Sequence, residues 1–321
     1  MDILKLKSFL KLVEIQTKVA SVIPLLLGIL FCSYRYQVFK PGLILLFLIS
    51  MLCVDMSTTA LNNLVDYRKA IKREGYNYEE HNAMVKDGIH ENTAVAAIVM
   101  MLLIGVATGF ALFLLTDWVI LLVGAIGFFV GILYSYGPLP ISRTPLGELF
   151  SGLVMGGLIY FVAIYMQIYQ NGLVIAYMRG AYYNLQVNLV ELSIIGFTAL
   201  PLIFMIAGIM LANNICDVED DIHNKRFTLP YFIGRELSLK LFALLYLGSF
   251  AVVIAGVLFN LLPVINLLVV VSAIPIVQNL KSFFKEQNKA TTFIVSVKNF
   301  VLFSGIWMAS FGLNSLIEVF V

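Results

Sequence analysis

The chain has 321 residues, 60% of them hydrophobic and 12% charged, with a formal net charge of +2 and a mean hydropathy of +0.94. That balance excludes an ordinary water-soluble domain and gives no sign of a nucleic-acid partner. It suits a lipid bilayer.

Apolar runs near the length of about 20 residues that a helix needs to cross hydrocarbon recur along the whole sequence. They predict nine spans, at 19–33 with a backward extension, 43–64, 94–115, 118–134, 146–169, 192–215, 239–261, 264–280 and 300–320. The runs are continuously apolar instead of alternating, so the expected fold class is all-α, a single polytopic transmembrane domain over residues 1–321. The polar start reaches Lys18 and no small-residue cleavage pattern follows it, so the segment is read as retained.

An N-terminus in the cytoplasm and a C-terminus outside place 18 of the 21 Lys and Arg residues on one side, with Arg35, Lys40 and Arg179 on the other. That asymmetry is the positive-inside pattern, and one missed span would scramble it. An integral protein of a bacterial cell membrane is the expectation. Cys32, Cys53 and Cys216 lack metal-type spacing and read as free thiols, and His81, His90 and His223 are scattered through polar loops.

Polar residues at the ends of two of these runs carry the chemistry. "NNLVDY" begins at Asn62 and "NNICDVEDD" at Asn213, so Asn-Asn-x-x-Asp is written twice. Residues four apart share a helix face, which aligns Asn62 with Asp66 and Asn213 with Asp217 and Asp221. Both rows end even-numbered spans on the cytoplasmic side, where they are expected to face each other across a central cavity. Four carboxylates in the five residues 217–221 are unfavourable at a hydrocarbon boundary unless neutralised. Oxygen donors without His or Cys favour a hard cation, and few protein ligands completed by phosphate favour Mg2+. Lys225 and Arg226 follow Asp221, Arg143 follows the fourth span and Lys18 precedes the first apolar run, all on the expected cytoplasmic side with the rows, and metal with Lys and Arg is what a diphosphate requires. Asn63 and Asn214 are further candidate substrate contacts.

Asp55, on the face of Asn62 and Asp66 but deeper in its span, reads either as a group for the acceptor substrate or as a packing hydrogen bond. Tyr134 and Tyr136 read either as belt aromatics or as substrate contacts.

Taken with these residues, the sequence resembles the UbiA superfamily of intramembrane aromatic prenyltransferases, and within it the 1,4-dihydroxy-2-naphthoate polyprenyltransferases of menaquinone synthesis. The first motif, "NNLVDYRKA", keeps Asn62 and Asp66 of the superfamily's N-D-x-x-D-x-x-x-D and places Asn63 and Ala70 where it has acids. The second, "NNICDVEDDIHNKRFTL", is similar to the naphthoate branch's N-N-x-R-D-x-E-x-D-x-x-x-G-K-R-T-L, with Cys216 and Asn224 in place of its Arg and Gly. "GPLPISRTPLGEL", with Glu148, and "VEIQTKVASVIPLLLG", with Lys18, resemble the same branch.

The resemblance implies a nine-helix fold around a cavity and a transferase that moves a polyprenyl group from its diphosphate to an aromatic ring, with loss of CO2 for the naphthoate. It implies Mg2+ held by Asn62, Asp66, Asn213, Asp217 and Asp221, with Asp66 or Asp55 orienting or deprotonating the acceptor. Other acceptors, such as 4-hydroxybenzoate, homogentisate or a porphyrin, are the alternatives within the family. A secondary transporter is the rival outside it, disfavoured because Pro201 and Pro275 are isolated rather than paired helix breaks.

Overall fold

The structure, a computed structural model, describes residues 6–69 and 83–320. Ala70 and His81 lie outside the described residues. Among the described residues nine helices are long and apolar enough to cross a membrane: α1 Ile15–Tyr36, α2 Pro41–Arg68, α3 Glu91–Leu115, α4 Trp118–Ser135, α5 Gly147–Ile168, α6 Leu189–Cys216, α7 Leu229–Leu258, α8 Val264–Lys285 and α9 Ile294–Ile317. The nine expected spans are all present. Several helices run beyond their apolar stretch, because a helix continues into the interface where long side chains reach water. Thus α2 extends past Leu64 to carry Asp66, and α7 begins ten residues before the expected 239, bending at Gly234, whose φ is +76°.

An addition stands between α5 and α6. Residues Val174–Arg179 (β1) and Tyr182–Val187 (β2) form an antiparallel hairpin, pairing Arg179 with Tyr182 and Val174 with Val187. The two residues between them begin with Gly180 at φ +62°, as a tight two-residue hairpin turn requires. Six-residue strands give no run long enough to register in a search for spans.

The chain divides into two compact units, Met1–Val22 with Gly42–Arg143, and Ile23–Pro41 with Thr144–Val321. In the first unit a short helix, Leu6–Leu12, presents Leu12 to a buried cluster with Ala60 and Leu64 of α2 and Ile98 and Met101 of α3. This cluster lies beside the first Asn-Asn pair. Higher up, Ser50 Oγ donates to the Gly105 carbonyl at 2.7 Å, joining α2 to α3.

In the second unit α5 crosses α6 with almost no space between backbones. A Cβ on Gly156 would lie 2.7 Å from the Ile203 nitrogen, and one on Gly152 would lie 2.6 Å from the Ile203 carbonyl oxygen. Small residues four apart allow such an approach, and residues Gly152–Leu158 widen into π-helix along the contact. The consequence is positional: the close crossing brings Glu148, one turn earlier on α5, against the end of α6. At the opposite end of α6, Glu191 accepts two hydrogen bonds from Arg35, at 3.1 and 2.7 Å, and one from the Tyr36 hydroxyl at 2.7 Å.

Candidate active site

Both Asn-Asn-x-x-Asp motifs end a membrane helix, and within each unit the two asparagines divide the same two tasks. The first asparagine joins the carboxylate row. Asn62 Nδ2 donates to Asp66 Oδ2 at 3.4 Å, and Asn213 Nδ2 donates to Asp217 Oδ2 at 3.3 Å. The second is buried and holds a distant acidic side chain. Asn63, 6% exposed, donates to the Leu12 carbonyl at 3.0 Å and to Glu14 Oε1 at 3.2 Å. Asn214, 1% exposed, donates to Glu148 Oε1 at 2.8 Å. A buried amide must spend its hydrogen bonds inside the protein, so Asn63 and Asn214 position the rows.

The second row keeps register past the end of its helix. Asp217 caps α6 at φ −98°, its N–H donating to the Asn213 carbonyl, and the Asp221 N–H then donates to the Asp217 carbonyl at 2.7 Å. The i to i−4 spacing therefore survives into the short helix Val218–His223. Glu219 and Asp220 are exposed and line a separate cleft of about 370 Å3 with Arg235 and Gln287. The acidic run is split between two sides.

Each row already holds protein cations. Asp66 Oδ1 is 3.5 Å from Arg143 Nη2, and Asp221 Oδ1 is 3.2 Å from Arg226 Nε, while Lys289 Nζ binds both Asn213 Oδ1 and Asp217 Oδ2. Arg143 reaches its partner from the turn Ile141–Arg143 that follows α4. The Arg226 N–H also donates to the Asp221 carbonyl at 2.7 Å, which folds the segment after Val218–His223 back onto the row. Lys225, in the left-handed region at φ +54°, is exposed, as is Tyr136; Tyr134 is half-buried.

Asp55 and Lys18 make a closed pair. Lys18 Nζ lies 2.7 Å from Asp55 Oδ1 and 2.7 Å from Thr59 Oγ1, and Ser21 Oγ donates to Asp55 Oδ2 at 2.7 Å. Their side chains are only 5% and 11% exposed. Burial of this kind makes each charge the other's necessary partner.

Two functional candidates escape sequence reasoning. Lys289 falls within the expected positive-inside set and has no motif around it; its one signal is the preceding Asn288, a residue that favours turns. Glu148 is visible in "PLGEL", but its contact with Asn214 depends on the α5–α6 crossing.

Among the described residues no three of His, Cys, Asp and Glu converge as a closed metal cage. The rows fit a metal that keeps open positions. Their donors are carboxylate and amide oxygens, Arg143, Arg226 and Lys289 show that cations settle on them, and Asp221 Oδ2 is buried without a well-formed hydrogen bond although Thr228 lies alongside. Mg2+ takes one or two carboxylates and completes its octahedron with water and phosphate.

Burial is the main cause that pushes the Asp221 carboxyl up from 3.8 to about 6, with Arg226 opposing and Asp217 adding to it. A carboxyl raised in the folded state favours the neutral form there, so its contribution to stability is greatest below 3.8 and is lost as pH rises through about 6. Asp221→Asn should therefore unfold at a higher temperature than wild type at about pH 7.5, with the gap closing toward about pH 4. Melting curves in detergent at both pH values check this.

Comparison with known proteins decides the family. The model of the UbiA prenyltransferase family matches residues 21–309. The chain belongs to that family. A 1,4-dihydroxy-2-naphthoate octaprenyltransferase from Bacillus subtilis (strain 168) is 28% identical over 244 residues, covering 75% of this chain and 71% of the relative. Among solved structures, a UbiA homologue from Aeropyrum pernix K1 aligns with a TM-score of 0.68 at 17% identity, over 95% of this chain and 98% of that one. A UbiA homologue from Archaeoglobus fulgidus, bound to GPP and Mg2+, aligns with a TM-score of 0.63 at 16% identity, over 95% and 98%. The UbiA fold, an integral membrane location and a prenyltransferase activity are thereby established for this chain.

Proposed function

We propose that this UbiA-family enzyme transfers a polyprenyl group from polyprenyl diphosphate to 1,4-dihydroxy-2-naphthoate, with loss of CO2, to give demethylmenaquinone. The observation that carries the reading is the shared division of labour in the two motifs, one asparagine in each row and one behind it. The Bacillus subtilis relative and the second motif support the naphthoate as acceptor.

Asn62, Asp66, Asn213, Asp217 and Asp221 would hold Mg2+ together with the diphosphate. The bound metal supplies positive charge to the departing diphosphate. Arg143, Lys225 and Arg226 add fixed charge as the allylic C–O bond breaks and its electron pair passes to the diphosphate oxygen. The allylic cation is then attacked by the ring carbon bearing the carboxylate, and the C–C bond to CO2 breaks to restore the aromatic ring. A water-poor site among apolar helices protects that cation from hydrolysis.

Asp66, whose side chain is 31% exposed, is favoured over Asp55 as the group that orients the acceptor hydroxyl, since both Asp55 oxygens are taken by Lys18 and Ser21. Lys18 is assigned to that pair instead of to phosphate. Asn63 and Asn214 are assigned to positioning, and Tyr134 and Tyr136 to the acceptor side. The prenyl tail, apolar throughout, extends into lipid. The side richer in Lys and Arg is assigned to the cytoplasm of a bacterial cell, with the N-terminus there and the C-terminus outside.

The purified protein should be incubated with a labelled allylic diphosphate, Mg2+ and a panel of aromatic acids that includes 4-hydroxybenzoate and homogentisate. Coupling to the naphthoate with release of equimolar CO2 and diphosphate is expected. Coupling to another acid alone would overturn the acceptor.

A further inference from the structure

Lys289 is the strongest unassigned feature near the second row. It sits in the connection between α8 and α9, and the local sequence "QNKATT" fixes that connection by hydrogen bonds. Asn288 Oδ1 accepts from the Ala290 N–H at 2.8 Å and the Thr291 N–H at 3.2 Å, and the Asn288 N–H donates to Thr292 Oγ1 at 2.8 Å. The Asn288 carbonyl accepts from the Thr292 and Phe293 N–H groups, each at 3.0 Å. Lys289 therefore projects from a pinned turn. Its ammonium meets Asn213 Oδ1 and Asp217 Oδ2 and lies 5.3 Å from the centre of the Phe293 ring. With 34% of its side chain exposed, it retains access to solvent.

Asn213 Oδ1, the one oxygen that side chain can offer Mg2+, is thus occupied by an ammonium, as is one of the two Asp217 oxygens. An ammonium and a divalent ion on that single amide oxygen would repel each other, so a metal that takes Asn213 Oδ1 displaces the lysine from it. The turn limits where it can go. A flexible four-carbon stem on a fixed backbone lets Nζ swing a few ångströms while the Cα stays beside the row. The group that arrives with the metal and seeks positive charge there is a diphosphate.

We propose that Lys289 is an exchangeable counter-ion: it neutralises Asp217 and donates to Asn213 Oδ1 while the row lacks metal, and passes to a diphosphate oxygen when the metal diphosphate binds. The ammonium keeps its proton throughout; one acceptor oxygen is exchanged for another and no bond to hydrogen changes owner. In the first state Lys289 competes with the metal, and in the second it assists the ligand. This inference rests on the metal and diphosphate reading above.

Removing the charge should therefore act in opposite directions on two affinities. Purified Lys289→Gln and wild type would be titrated first with Mn2+ alone, free Mn2+ being read by electron paramagnetic resonance, and then with labelled inorganic diphosphate at fixed Mn2+, protein-retained diphosphate being read by equilibrium dialysis. The variant should bind Mn2+ alone more tightly, roughly tenfold, and diphosphate at fixed Mn2+ more weakly, roughly tenfold, each the worth of about one charge-assisted contact. Lys289→Arg, which keeps the charge, should recover most of the diphosphate affinity. Changes of the same sign in both titrations, or no change in either, would overturn the exchange while leaving the metal site standing. Absence of diphosphate retention by wild type at fixed Mn2+ would overturn both. Matched melting temperatures of Lys289→Gln, Lys289→Arg and wild type ensure that the result reports the ammonium and not an unfolded turn.

Discussion

Asp217→Ala should lower turnover by about 10^2- to 10^3-fold, the usual cost of deleting one group that stabilises charge in a transition state. The residue is half-buried at the end of α6, where Lys289 and Asn213 are its partners. Its backbone role as cap does not require the carboxylate, since the Asp217 N–H donates to the Asn213 carbonyl regardless of side chain. The variant should accordingly express and melt close to wild type while losing diphosphate release. Quantifying released diphosphate from a prenyl donor at saturating Mg2+ checks the first half, and a melting curve the second. Wild-type turnover would remove Asp217 from the site.

Lys18→Met should have the opposite profile, a large loss of stability. Its ammonium is buried against Asp55, and deleting one member of a buried ion pair leaves the other uncompensated, at about 3–5 kcal/mol. Ser21 and Thr59 cannot neutralise a carboxylate, so they do not rescue it. Lys18→Met with Asp55→Leu should recover most of the loss, because an apolar pair of similar volume avoids the desolvation cost altogether. Melting temperatures at a fixed scan rate in one detergent test this. If the double variant regains stability and retains turnover, the pair is architectural. A stable but inactive double variant would return Asp55 and Lys18 to the substrate site.

Spans and rows were legible in the sequence because hydrocarbon imposes one strong constraint: every backbone group must be paired internally over a fixed thickness. Apolar run length therefore located all nine helices, and repetition of Asn-Asn-x-x-Asp located the rows. Helical periodicity also aligned Asn62 with Asp66 and Asn213 with Asp217. The division within each Asn pair was not legible. Which asparagine turns inward depends on what packs against it, Leu12 and Glu14 in one unit and Glu148 in the other. Those neighbours are separated in sequence by 51, 49 and 66 residues.

The partner of Asp55 was equally hidden. Both Lys18 and Asp55 stand out as ionisable groups in apolar segments, but proximity in space is a tertiary property, and only the packed chain joins them. Lys289 was masked for a different reason: a lysine beside a membrane helix is expected on topological grounds alone, and that expectation absorbed it. The β1–β2 hairpin, too short and too mixed in composition for a span, left only Gly180 as its signal.

In the mechanism proposed above, the two Asn-Asn-x-x-Asp rows would act together on one metal diphosphate. Groups that act as a unit are non-additive when removed, whereas independent groups multiply their losses. Single-turnover release of diphosphate from an allylic donor should be measured for wild type, Asp66→Ala, Asp217→Ala and the double variant, with Mg2+ and with excess chelator. Joint action requires no release from wild type under chelator, and a double variant no slower than the slower single one. Release that survives chelation, or losses that multiply in the double variant, would contradict it.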